Sequence, residues 1–122
     1  VVRKGGSIIV ASQCWDGVPE HGCYGRLLRE AKSPAEILER VNSPGFSSPD
    51  QWQVQVQAMV QMKADVYVRA DGLSEKQIAE ALLRPCRRVE ETLGELLARG
   101  NGRKPTVCVL PEGPITIPYV SK

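Results

Sequence analysis

The chain is 122 residues long, 42% hydrophobic and 25% charged, with a formal net charge of +2. That length and composition suit one soluble globular domain and exclude a low-complexity or collagen-like chain. The charge is too small to argue for nucleic acid, no apolar run approaches the ~20 residues needed to cross a bilayer, and the start carries no secretory leader pattern.

Val1-Val2-Arg3-Lys4-Gly5-Gly6 has the pattern of a helix end, basic residues followed by glycine. Residues 1–4 are therefore expected to be the stub of a helix, and residues 1–122 a single domain excised from a longer protein. Ser7 to Ser12 is a continuous apolar run, as in a strand buried on both faces of a parallel sheet. Cys14 to Gly22 is a turn-rich loop with its sharpest signal at Asp16-Gly17. Tyr24 to Ala31 is expected to be a short helix burying Leu27, Leu28 and Ala31. Ser33-Pro34-Ala35-Glu36 is a capping box opening a helix to about Val41.

The next helix is expected over Pro49 to Lys63, with Ser48 as N-cap, Pro49 as the first helical residue and Gln51 completing a capping box. Its buried stripe is read as Trp52, Val56, Met59 and Val60. Gln51, Gln53, Gln55, Gln57 and Gln61 occupy its other faces, which suits either solvent or an interface that avoids charge desolvation.

Asp65 to Ala70 is a second strand. Ser74 and Gln77 form a third capping box, stapled by Leu73 and Ile78, and its helix runs to about Leu83. Pro85 is expected to start a helix with Val89, Leu93, Leu96 and Leu97 on one face, ended by Gly100. Thr106 to Leu110 is read as a third apolar strand. Pro111, Pro114 and Pro118 then keep the tail extended. Strands alternating with helices predict an α/β, three-layer Rossmann-like domain with a small, mostly parallel sheet flanked by helices.

Ligands of open α/β sheets sit beyond the carboxyl ends of the strands, here Gln13–Asp16, Arg69–Gly72 and Pro111–Pro114. Asp16 and Asp71 there are acid or base candidates, yet each precedes a glycine and suits a turn. Cys14, His21 and Cys23 match no common zinc-ligand spacing, so no metal site is expected. Cys14, Cys23, Cys86 and Cys108 lack a disulfide framework and point to free thiols in a reducing cytoplasm. No phosphate-binding glycine motif or nucleophile elbow is present, and His21 has no visible orienting partner. No residue is assigned as catalytic. Trp52, in the first turn of its helix, is either a core anchor or a residue reaching into a cleft.

Ile8 to Gly17, Pro49-Asp50-Gln51-Trp52, and Leu110 to Pro118 together resemble the three marker segments of the C-terminal domain of the nickel-pincer lactate racemase family, from about Lys4 to Tyr119. The resemblance implies a parent enzyme that interconverts the enantiomers of a 2-hydroxy acid by hydride transfer to and from a nickel-pincer nucleotide. The cofactor, its ligands and the acid–base histidines belong to an N-terminal catalytic domain, which is the implied partner. The C-terminal domain closes the cleft, and Trp52 matches the family's substrate and cofactor-cleft Trp. Gln13, Glu112 and Pro19 depart from the family's frequent acidic residue, His and Gly, leaving open which 2-hydroxy acid is the substrate. The competing reading is a stand-alone Rossmann-like module for small-molecule binding or protein interaction. A histidine-rich upstream domain in the parent reading frame would separate the two.

Overall fold

The structure is a computed structural model that describes residues 2–99 and 105–120. Three parallel strands form one sheet in the order β1 (Gly6–Ser12), β2 (Ala64–Ala70), β3 (Arg84–Pro85). Between β1 and β2 lie α1 (Tyr24–Glu30), α2 (Pro34–Val41) and α3 (Gln51–Gln61). The helix α4 (Glu75–Glu80) joins β2 to β3, and α5 (Val89–Ala98) follows. The predicted parallel α/β architecture is the one observed.

The register runs Gly6 opposite Ala64 through Ser12 opposite Ala70. Side chains alternate between the two faces of a strand. Val68 and Ala70 pack with Ile78 of α4 on one face. Tyr67 points to the other, where its hydroxyl accepts from Arg99 at the end of α5 at 3.4 Å. So α4 and α5 cover opposite faces. A second cluster, Leu27, Leu28, Ala31, Ile37, Val41, Val54, Ala58 and Ala81, joins α1, α2 and α3.

Local signals set several boundaries as read. Ser33 accepts from the Glu36 amide, and Ser74 and Gln77 form a reciprocal capping box. Leu27, Leu28 and Ala31 are buried.

Four readings are corrected. The third strand is Arg84–Pro85, not Thr106–Leu110, whose residues are exposed and unpaired. A strand exists only where a neighbour supplies a ladder, and on the side of β2 away from β1 residues 84–85 are the ones among the described residues that pair with it. Pro85 therefore sits in a strand, and α5 starts at Val89. Gly100, expected to end α5, lies outside the described residues. Residues 2–4 form no helix; a turn closed by the Gly6 amide on the Arg3 carbonyl at 2.9 Å, with Gly5 at φ 79°, leads into β1. Val1 is outside the described residues. Finally, β1 is not buried on both faces, because it is the sheet's edge and Val10 is 41% exposed.

Candidate functional site

The largest departure from the sequence reading is α3, which is turned over. Val54 and Ala58 are fully buried, whereas Trp52, Val56, Met59 and Val60 are 64%, 54%, 59% and 40% exposed. The glutamine face looks inward. The Gln57 amide nitrogen donates to the Ala81 carbonyl at 2.7 Å, and its oxygen accepts from the Tyr24 hydroxyl. The Gln61 amide donates to the Leu82 carbonyl. Ala81 is the C-cap of α4, where helix carbonyls run out of intrahelical partners. The two glutamines satisfy carbonyls that apolar side chains would leave orphaned, so the polar face goes in.

The start of α3 is also displaced. Asp50, not Ser48, is the N-cap, in a left-handed conformation at φ 64°. Half of the expected capping box survives, with the Ser48 amide donating to Gln51 Oε1 at 2.8 Å. Asp50 instead reaches α1, where its Oδ2 accepts from the Cys23 amide at 3.1 Å. A side chain at Gly22, whose φ is 95°, would collide with that carboxylate. The segment carrying Trp52 is thus clamped to the start of α1 by backbone geometry that few residues other than Asp or Asn adopt readily.

Sequence reasoning missed the thiol at this junction. Cys23 is held below the ordinary thiol value by hydrogen bonding with Ser48 and then Arg26, whose guanidinium donates to Sγ at 3.3 Å. Desolvation and the charge of Asp50 push the other way. Only folding brings Ser48 beside Cys23, so local spacing held no such signal.

At the carboxyl ends of β1 and β2 the predicted loops do meet. The Gly72 amide donates to the Gln13 carbonyl at 2.8 Å, and a Cβ at Gly72 would strike the Cys14 carbonyl. Trp15, beside them, is 72% exposed. Arg69 pairs with Asp71 at 2.7 Å, giving Asp71 a structural partner. A shallow cleft of about 330 Å³ there includes Arg69, Ser74, Cys86 and Arg87. Arg69 and Arg87 are both paired, with Asp71 and Glu75, so neither guanidinium is left free to attract an anion. The third expected loop follows no strand of this sheet, and Pro111, Glu112 and Gly113 in it are exposed. Among the described residues no three or more His, Cys, Asp or Glu side chains cluster to hold a metal. All four cysteines are free thiols.

The sequence pattern of the lactate racemase C-terminal domain matches residues 1–117. The chain belongs to the lactate racemase C-terminal domain family. The lactate racemase of Thermoanaerobacterium thermosaccharolyticum is 27% identical over 115 residues, 91% of this chain. The structure of the lactate racemase apoprotein from the same organism superposes with a TM-score of 0.70 at 25% identity over 82% of this chain. This chain spans 26% of the first relative's length and 24% of the solved chain's. In this lactate racemase C-terminal domain, Trp52 at the clamped start of α3 and Trp15 beside the joined β1 and β2 loops are both exposed.

Proposed function

We infer that this chain is the cleft-closing C-terminal domain of a nickel-pincer-dependent 2-hydroxy acid racemase, acting in the cytoplasm on a small 2-hydroxy acid such as lactate. The observation that carries this reading is the apolar edge of α3. Trp52, Val56, Met59 and Val60 stay exposed while Gln57 and Gln61 are tied inside. An uncharged apolar helix edge headed by an indole suits an apposed domain better than water.

The nickel-pincer nucleotide supplies the hydride acceptor when bound. The described residues offer no donor cluster for nickel, so this reading assigns cofactor and metal to an N-terminal catalytic domain of the parent chain. The role of Trp52 is to wall the cleft: an indole excludes water and offers one N–H donor to a carboxylate or hydroxyl of substrate or cofactor. The left-handed Asp50 and its bond to Cys23 hold that indole at one place relative to α1.

A chiral assay tests the reading. The 122-residue chain alone is expected to leave L-lactate and other 2-hydroxy acids unchanged, and the parent polypeptide to racemise one of them. Sustained racemisation by the chain alone, or none by the cofactor-loaded parent on any 2-hydroxy acid, would overturn it.

A further inference from the structure

We propose that Thr106–Leu110 docks on the open edge of β1 as a fourth parallel strand, making the sheet order β4-β1-β2-β3 and carrying the tail to the loop that holds Trp15. The argument is one of handedness. Crossovers between parallel strands of one sheet are right-handed in about 98% of cases. The step from β2 to β3 moves away from β1 with α4 on the face of Val68 and Ala70. The next helix, α5, lies on the opposite face, its end beside Tyr67. A right-handed crossover on that face must step the other way, back over β2 toward β1. The position of α5 agrees, since it lies against β1.

The edge there is open. Among the described residues, β1 pairs over its whole length with β2 alone. The opposite edge of the sheet is poor: β3 has two residues, and one is Pro85. The candidate strand is well made for the open edge. Thr106-Val107-Cys108-Val109-Leu110 is apolar and β-branched, and it is bounded by Pro105 and Pro111. Its side chains have no cover in the unpaired arrangement, Val107 being 50% and Val109 76% exposed. At about 3.3 Å per residue, the number of residues between Arg99 and Pro105 allows a reach of up to roughly 20 Å, several strand spacings.

Parallel docking sets Leu110 and Pro111 beside the carboxyl end of β1. Gln13, Cys14 and Trp15 would then be flanked on one side by Gly72 and on the other by the Pro111–Pro118 tail, at the end of the sheet where α/β folds bind ligands. The tail becomes the outer wall of that end.

Amide hydrogen exchange on the intact chain tests docking without any substitution. Exchange in residues 106–110 at least roughly tenfold slower than the unstructured rate is expected at alternate amides; full exchange throughout would overturn the proposal. Cys108 then reports the location. With Cys14, Cys23 and Cys86 replaced by alanine, single cysteines are placed in turn at Ser7, Ile8, Ile9, Val10, Ala11 and Ser12. Rapid intramolecular disulfide formation is expected at alternating positions only, those sharing a face with Cys108. Equal rates along β1, or disulfide-linked dimers as the main product, would sink it. Adding Val109→Pro should abolish the selective crosslink while far-UV circular dichroism from the helices persists; a crosslink indifferent to that proline would also count against docking.

Discussion

The Tyr24 hydroxyl donates to the side-chain oxygen of Gln57, tying the first turn of α1 to the middle of α3. The same Gln57 donates onward to the Ala81 carbonyl at 2.7 Å, so one amide joins three helices. Through that bond the glutamine side of α3 becomes its inner side and the apolar side is left for something else to cover.

A Gln57→Leu substitution would leave the Tyr24 hydroxyl and the Ala81 carbonyl without partners in a partly buried site. A loss of about 1–3 kcal/mol in chemical denaturation is expected. Val56→Gln, on the outward edge, should stay within about 0.5 kcal/mol of the parent sequence. The opposite ranking would mean that α3 is packed by its apolar edge after all.

Trp52 is expected to matter to the parent enzyme and not to folding. At 64% exposure, Trp52→Phe should shift stability by less than about 0.5 kcal/mol. Racemisation by the full-length protein should fall, because the indole N–H and the wall it forms are lost. Melting temperature and turnover measured on the same variant separate the two effects. A destabilised but fully active variant would end the functional assignment.

Cys23 should be alkylated at lower pH than an ordinary thiol. Hydrogen bonds from Ser48 and then Arg26 favour its thiolate, so the folded value lies below that of an ordinary thiol. The sign follows from linkage: a depressed thiol value favours the folded state at pH above the ordinary value, and this advantage fades as pH falls through the folded value. Iodoacetamide labelling against pH, read by peptide mass, should show Cys23 reacting first and buried Cys86 last. Ser48→Ala should move the Cys23 midpoint upward; an unmoved midpoint would break the assigned cause.

Gly72→Ala should cost about 1–3 kcal/mol, since its Cβ would strike the Cys14 carbonyl where the β1 and β2 loops touch. A thermal melt checks this. A neutral result would show that the two loops are free to separate.

Elements specified by near neighbours in the chain were legible from the sequence. The capping residues Ser33 and Ser74, the turn at Asp16-Gly17, the strands read over Ser7–Ser12 and Asp65–Ala70, each begun one residue earlier in the structure, and the buried Leu27, Leu28 and Ala31 all follow from patterns within a few residues. So did the α/β class, because strand–helix alternation constrains topology before any tertiary contact forms. The pairing partners were decided elsewhere. A strand is defined by its neighbour, so the apolar pattern of 106–110 could not place it, and the charged, proline-bearing pair Arg84–Pro85 showed no strand pattern at all. The orientation of α3 was likewise a tertiary decision. Periodicity located its apolar stripe correctly, but the carbonyls of Ala81 and Leu82, 24 and 21 residues away from Gln57 and Gln61, demanded amide donors. An unpaired buried carbonyl costs more than a few exposed apolar side chains on one helix edge, and that balance turned the stripe outward.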